Sequence, residues 1–291
     1  MKPQHFALAM VANLTWAYNF IAGKVGAEHF APLFFTSLRF FLLAAVLAAW
    51  IKLPPRDQWP RVVAVALVMG VLHFSFMFAG LAIGDNISAL AIAVQLYVPM
   101  AALLAMVFLG ERVGWSRAGG IGIAFAGVLV IGFDAAVFKR LDALLLVVGA
   151  AFFMAVANTV VRGMRGVGVF VLQGWLALIS APILLVLSLL IEDGQTAALA
   201  AAGWREWGAV VYAAAGASLV GHGIVYYLLR RYSVSLTTPL FLMTPVLAVV
   251  FGVVLWGDVL SWRLTLGGAL TIAGVALITL HEARRARDRA R

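Results

Sequence analysis

The residues that could do chemistry in this chain are few, and most of them lie inside long apolar segments. Histidine can exchange a proton near neutral pH, arginine can bind an anion, and side-chain amides can donate and accept hydrogen bonds. The candidates at mid-segment positions are Asn19, Arg39, His73, Gln95, Asn158 and His222. A polar group is costly in apolar surroundings, so each of these should face a partner or a water-filled hollow.

Motifs for hydrolysis or for energy coupling are absent from the sequence. Ser218 and His222 stand one helical turn apart, but the pattern of a nucleophile elbow is missing, as are HExxH and the phosphate-binding GxxxxGK[ST]. The chain contains no cysteine, which excludes disulfides and thiolate chemistry. We therefore expect neither an enzyme nor a nucleotide-driven pump, and we expect no metal and no cofactor.

Composition indicates what surrounds these polar residues. The chain has 291 residues, of which 64% are hydrophobic and 11% charged, whereas soluble domains carry about 25% charge. Exposure of so much apolar surface is favourable in lipid and unfavourable in water. The net charge of +9 is concentrated in the gaps between apolar segments and in the C-terminal tail, so it indicates topology anchors and not nucleic-acid binding.

Ten segments match the length of about 20 residues that a helix needs to cross a bilayer. Gly, Pro and Asp clusters separate them, such as Pro54 and Pro55 or Gly84 and Asp85. We expect an all-α integral membrane protein, and the predicted spans are roughly residues 5–26, 31–51, 60–83, 87–109, 115–133, 142–162, 168–191, 206–229, 235–256 and 262–281.

Basic residues predict the orientation of these spans. With both termini in the cytoplasm, fifteen lysines and arginines fall on the cytoplasmic side and five on the other side. Arg39, within a span, completes the total of 21. An excess of this kind on the cytoplasmic side is what the positive-inside rule predicts.

The chain contains an internal repeat. The element Gly110-Glu111, followed by Trp115, Gly120 and Gly127, recurs as Gly257-Asp258, Trp262, Gly267 and Gly274, displaced by 147 positions throughout. His73 and His222 match more loosely. A repeat of five spans, an odd number, places its second copy upside down in the membrane. We predict a first repeat over 1–139, an inverted second repeat over 140–281 and a basic cytoplasmic tail over 282–291.

This repeat resembles the EamA repeat of the drug/metabolite transporter superfamily, and Arg39, Pro99 and Pro245 fit the same pattern. Trp16, Asn19 and His73 look most like the YddG-type exporters of aromatic and other hydrophobic amino acids. The resemblance implies a substrate cavity at the bilayer centre, lined mainly by helices 1, 3, 4, 6, 8 and 9.

Helical periodicity selects side chains that could line such a cavity. The predicted substrate-binding residues are Trp16, Asn19, His73, Phe76, Met77, Gln95, Asn158, Trp175, His222 and Tyr226. Hydrogen bonding between helices is the alternative role for the amides, and lipid-facing packing is the alternative for Trp16. Arg39 is predicted to be a structural or gating charge. Prolines 99, 239 and 245 are predicted to let their helices bend.

The resemblance implies a secondary transporter that exports aromatic or other hydrophobic amino acids across a bacterial inner membrane by alternating access. The acidic residues of this chain lie near the ends of the spans, which favours facilitated transport over strong proton coupling. A drug or metabolite exporter and a proton-coupled antiporter are the alternatives, followed by an intramembrane enzyme or a passive channel. The expected partners are a small solute and the lipid bilayer, and the chain could be a monomer or a dimer.

Overall fold

A computed structural model describes residues 1–109, 115–232 and 234–289. Ten helices in it are long and apolar enough to cross a membrane, which confirms the predicted number of spans. We number them α1 to α10: Pro3–Phe30, Pro32–Trp50, Arg56–Ile83, Ile87–Phe108, Trp115–Gly132, Leu141–Arg162, Val169–Ile191, Trp204–Leu229, Pro239–Trp256 and Trp262–His281. The last helix continues to Arg289.

Both chain termini lie at one end of the bundle, because ten is an even number of crossings. We call this end the terminus side and the opposite end the far side. Short helices lie between the spans on each side: Ala135–Phe138 and Gln195–Ala201 on the far side, and Val234–Thr237 on the terminus side.

The helix ends follow local chemistry. Ala31 adopts a φ of 63°, and this turn between Phe30 and Pro32 separates α1 from α2. The side chain of Asn86 accepts a hydrogen bond from the backbone N–H of Ala89 and so caps α4.

Two spans depart from regular α-helix at equivalent places in the two repeats. In α3, Ala66–His73 forms a π-helix, and in α8 Tyr212–Gly221 does the same. Such wider turns occur frequently at functional sites. Each π-helix ends at one of the two mid-span histidines, since His73 is the last residue of the first and His222 directly follows the second.

Helices α5 and α10 cross through glycines. A Cβ on Gly127 would lie 2.5 Å from the carbonyl oxygen of Gly267, and one on Gly274 would lie 2.5 Å from that of Gly120. Gly120 and Gly267 are equivalent in the repeat, as are Gly127 and Gly274, so the two contacts are copies of each other. The crossing therefore lies on the pseudo-twofold axis that relates the inverted repeats.

The repeated Gly-acid element is described only in its second copy, since Gly110 and Glu111 lie outside the described residues. The carboxylate of Asp258 accepts hydrogen bonds from the backbone N–H of Ile87 at 3.3 Å and from the N–H and hydroxyl of Ser88, both at 2.6 Å. Asp258 thus caps the beginning of α4 across the repeat boundary.

Candidate functional site

A cavity of about 310 Å³ lies between the helices, near the middle of the spans. All six helices expected to line it do so, and α2 and α7 contribute as well. Its polar or amphipathic lining residues are Trp16, Asn19, Arg39, His73, Gln95, Tyr97, Gln173, Ser218, His222 and Thr244. Its apolar lining residues are Phe20, Phe40, Leu43, Met69, Phe74, Met77, Phe78, Leu81, Val94, Met154, Leu176, Ala217 and Phe241.

The structure brings together six of the ten side chains that the sequence nominated for substrate binding. The six that line the cavity are Trp16, Asn19, His73, Met77, Gln95 and His222. The four that do not are Phe76, Asn158, Trp175 and Tyr226, and we remove them from the proposed site.

Phe76 lies on a flank of α3 that faces away from the cavity. The residues of α3 that line the cavity include His73, Phe74, Met77 and Phe78. At about 100° per residue, the centre of that face is about 130° from Phe76. The ring of Phe76 packs instead on α6, with its centroid 5.2 Å from that of Phe153.

Trp175 lies on a different face of α7 from Gln173 and Leu176, which line the cavity, and Asn158 and Tyr226 lie toward the terminus side of the cavity. Trp175 donates from Nε1 to the carbonyl oxygen of Lys52 at 2.9 Å, and this bond holds its indole at the loop between α2 and α3. Tyr226 and Asn158 each follow a lining residue, His222 or Met154, by one helical turn. They therefore lie beyond the residues that line the cavity.

Trp16 is fixed against α8. Its Nε1 donates to the carbonyl oxygen of Ala217 at 3.1 Å, and its ring centroid lies 5.2 Å from that of His222. Gly221 provides the room, because a Cβ there would overlap the indole. The interior position that periodicity allowed for Trp16 is therefore the one it occupies, half-buried at the cavity wall.

The two histidines make the same type of hydrogen bond. Nδ1 of His73 lies 2.9 Å from the carbonyl oxygen of Ala150, and Nδ1 of His222 lies 3.2 Å from those of Ala217 and Ser218. A carbonyl oxygen can only accept, so Nδ1 carries the proton in both rings. His222 is exposed although it lies within the bundle, because its surface faces the cavity.

Arg39 is 2% exposed and lines the same cavity. Its Nη2 donates to the hydroxyl of Ser218 at 3.1 Å. Its guanidinium carbon lies 4.3 Å from the ring centroid of Phe74, 5.1 Å from that of Phe40 and 5.4 Å from that of Phe78. The negative faces of these rings stabilise the cation without using its N–H donors.

Helices α4 and α9, which line the cavity, contain prolines. Pro99 follows a 3₁₀ turn over Val94–Leu96 in α4, and Pro245 follows one over Thr238–Leu242 at the beginning of α9. Each lacks the N–H that would bond one turn back. Pro239 begins its span, so it leaves no carbonyl free within the helix. Whether these helices bend during transport stays a prediction.

Several cavity residues escaped the sequence analysis. Phe40, Phe74 and Phe78 lie in spans rich in apolar residues, where nothing distinguishes a cavity phenylalanine from one facing lipid. Arg39 was identified but assigned to structure or gating. Its position among residues from both repeats could not be deduced without knowing how α2 packs.

On the far side of the cavity, α1 is in contact with the end of α3 and with the turn that follows it. Lys24 Nζ donates to the carbonyl oxygens of Gly84 and Ala82 at 2.7 and 3.1 Å. A Cβ on Gly23 would lie 2.6 Å from the ring of Phe78, so the helices are in close contact there. Within the described ranges, no hydrogen bond joins α1 or α8 to α3 on the terminus side.

The fold and the site together define a multi-pass membrane protein with a solute-sized cavity between two inverted repeats. The EamA-like transporter family matches residues 5–133 and, a second time, residues 141–280. The chain therefore belongs to the EamA-like transporter family, and both the ten-span architecture and the family resemblance are confirmed.

Two relatives named for amino-acid efflux or export align with nearly the whole chain. A probable amino-acid metabolite efflux pump of Salmonella typhimurium is 30% identical over 279 residues, which cover 92% of each protein. A probable terminal-alkyne amino-acid exporter of Streptantibioticus cattleyicolor is 26% identical and covers 99% of this chain and 98% of its own. One crystal structure matches with a TM-score of 0.65 over 98% of this chain and 99% of that chain, at 23% identity. This last likeness concerns the fold alone.

Proposed function

We propose that this chain is a secondary transporter that exports amino acids with aromatic or other hydrophobic side chains by alternating access. It acts in the inner membrane of a bacterium, with both termini in the cytoplasm. Two relatives named for amino-acid efflux or export support the substrate class, and the distribution of basic residues supports the orientation.

The observation that carries this proposal is the cavity itself. Ligand pockets usually measure about 300–1,000 Å³, and this cavity lies at the lower limit with about 310 Å³. It therefore suits a solute the size of one amino acid better than a large drug. Its aromatic wall would contact an apolar side chain, and its polar groups would contact the backbone of the solute.

The charge of the wall separates amino acids from cationic drugs. Arg39 lines the cavity, and none of the described lining residues is an aspartate or a glutamate. A cationic drug would enter a site with a positive charge and no carboxylate to pair with it, which is unfavourable at low dielectric. A drug or metabolite exporter remains the second candidate, for neutral or anionic solutes.

We propose facilitated transport, in which flux of the solute is not coupled to a proton gradient. Glu192 accepts hydrogen bonds from the backbone N–H of Leu33 and Phe34, and Glu28 forms an ion pair with Lys24 at 2.6 Å. Both carboxylates belong to the far side of the bundle, away from the cavity. Proton coupling through His73 or His222 is the alternative, and it requires that flux depend on an imposed pH gradient.

The test is uptake of radiolabelled L-phenylalanine by proteoliposomes that contain the purified protein. Trp16→Ala should lower uptake at least about fivefold, because an aromatic contact with the solute is worth about 1 kcal/mol beyond the area it buries. Trp204→Ala is the matched control, since that indole is 89% exposed and lies far from the cavity. Absence of saturable uptake by the parent protein, tested with a panel of amino acids, would reject the proposal.

A further inference from the structure

Arg39 has hydrogen-bond donors that nothing in the described part of the chain uses. Its Nε and Nη1 are buried and have no hydrogen-bond partner there, while Nη2 bonds to the neutral hydroxyl of Ser218. Buried polar groups in folded proteins nearly always have a partner, and a buried cation without an anion is especially costly. The free donors therefore indicate a group that binds from the cavity.

A free acceptor lies in the wall of the same cavity. Oδ1 of Asn19 is buried and has no hydrogen-bond partner among the described residues. Asn19 belongs to α1 and Arg39 to α2, and both line the cavity. Nε2 of Gln173, a third residue of the cavity lining, is also buried without a hydrogen-bond partner among the described residues. Asn13, in the same helix as Asn19 but outside the lining, bonds to Ala9, Leu240 and Thr244. The unused groups of this region are thus found in the cavity wall.

We propose that Arg39 and Asn19 form a subsite for a zwitterion, an inference that rests on the proposed function. The carboxylate of the solute accepts hydrogen bonds from the free guanidinium N–H groups, and its ammonium donates to Oδ1 of Asn19. Hydrogen bonds between a guanidinium and a carboxylate are among the strongest in proteins. The side chain of the solute then lies against the aromatic wall.

The surroundings of Arg39 fit a binding role. The three phenylalanine rings stabilise the cation through their faces, so the guanidinium can remain charged within the bundle while its N–H groups stay free. A purely structural arginine would need only its charge and the bond to Ser218. If Arg39 were purely structural, the transporter would show no preference for a solute with a carboxylate.

The experiment compares three competitors of L-phenylalanine uptake in proteoliposomes: L-phenylalanine itself, its amide and 3-phenylpropionate. The amide lacks the negative charge and 3-phenylpropionate lacks the ammonium. In the parent protein, both analogues should compete at least about tenfold more weakly than L-phenylalanine. Equal competition by the amide would overturn the role of Arg39 without any variant.

Two variants then assign each preference to its residue. Arg39→Gln should abolish the preference for L-phenylalanine over the amide and keep the preference over 3-phenylpropionate. Asn19→Ala should do the reverse. Arg39→Lys retains the charge and should show a reduced but measurable preference for the carboxylate, which keeps the test valid should the loss of charge unfold the bundle. Arg140→Gln, in an exposed far-side ion pair, is the control.

The outcomes separate this inference from the proposed function. If the parent protein transports L-phenylalanine but Arg39→Gln keeps the parental preference for the carboxylate, the subsite is wrong and the function stands. If the parent transports no amino acid at all, the proposed function fails first.

Discussion

The hydrogen bonds of the cavity histidines define what the rings can offer a solute. Because Nδ1 of His73 and of His222 donates to backbone carbonyls, the neutral form of each ring has an acceptor at Nε2. Neutral acceptors beside a single arginine make the wall dipolar, with donors at Arg39 and acceptors elsewhere. That pattern matches an amino acid better than it matches a simple anion.

Asp134, in the loop between α5 and α6, gives the protein a pH dependence that can be measured. Burial of this carboxyl raises its pKa, but hydrogen bonds from Ser261 and from the backbone N–H of Ala136 and Val137 outweigh burial and leave the pKa below its ordinary value. A lowered pKa means that the folded state prefers the ionised form. Its stabilisation is complete above pH about 4 and is lost as the pH falls through the lowered value.

We therefore expect Asp134→Asn to be less stable than the parent protein at pH 7 and to approach it in acid. Thermal unfolding in detergent between pH 7 and pH 3 measures the difference. Asp142→Asn is the control, because the side chain of Asp142 is 59% exposed, pairs with Arg140 at the surface and accepts one backbone hydrogen bond, from Ala143. A constant difference between Asp134→Asn and the parent over this range would contradict the argument.

At the scale of single residues, the sequence identified the polar part of the site better than the apolar part. His73, Gln95 and His222 stand out because polar side chains are rare within spans. Phe76 was chosen in place of Phe74 because periodicity gives only the relative angles of side chains around a helix. The direction of the cavity depends on where α6 packs, and the sequence of α3 contains no such information.

At the scale of helices, the interruptions of regular α-helix lie beside the cavity and supply groups that bond to its side chains. The π-helices of α3 and α8 leave carbonyl groups that side chains use: Ser180 donates to the carbonyl of Ala66 at 2.9 Å, and Ser218 donates to that of Ala213 at 3.2 Å. Ser218 also accepts a hydrogen bond from Arg39. An interruption of α8 is thus connected directly to the charged group of the cavity.

The crossing of α5 and α10 predicts which glycines tolerate a side chain. A Cβ on Gly127 would meet the backbone of α10, whereas one on Gly122 would meet nothing within 4 Å. Gly127→Val should destabilise the protein by about 1–3 kcal/mol, the usual cost of overpacking. Gly122→Val should change stability by less than about 0.5 kcal/mol. Thermal unfolding and the yield of monodisperse protein in detergent measure both effects, and equal loss in the two variants would contradict the proposed crossing.

The helices themselves could be predicted almost completely, because crossing a bilayer requires a minimum length of apolar sequence and Gly, Pro and Asp mark the ends. The π-helices could not. A π-turn differs from an α-turn only in the hydrogen bonds it makes, and the carbonyl of Ala66 in the first π-helix accepts from Ser180, which is more than 100 residues away in sequence. The glycine pairs were visible in the sequence, but their contact within one chain became clear only from the packing of α5 on α10.

At the scale of the whole molecule, the two inverted repeats have similar sequences, but the contacts at the two ends of the cavity differ. On the far side, Asp258 accepts hydrogen bonds at the beginning of α4 and Lys24 donates to the turn that follows α3, and we infer that these contacts close this end of the cavity. In the described part of the chain, α1 packs on α3 mainly through the far-side half of that helix, Phe74–Ile83, and His222 is exposed within the bundle. We infer that the cavity is open toward the terminus side.

This inference can be tested with single cysteines, because the parent chain has none. Leu176→Cys places a thiol in the cavity wall, and a membrane-impermeant maleimide should label it from the terminus side and spare it from the far side. Adding Asp258→Ala removes the cap of α4, which is worth about 1 kcal/mol, and should increase labelling from the far side about fivefold. Asp142→Ala, which removes an exposed far-side carboxylate, should leave labelling unchanged. Equal labelling from both sides in the Leu176→Cys protein would mean that the far-side contacts do not close the cavity. A carrier needs such a closure, because a hollow open at both ends is a channel and cannot move its solute by alternating access.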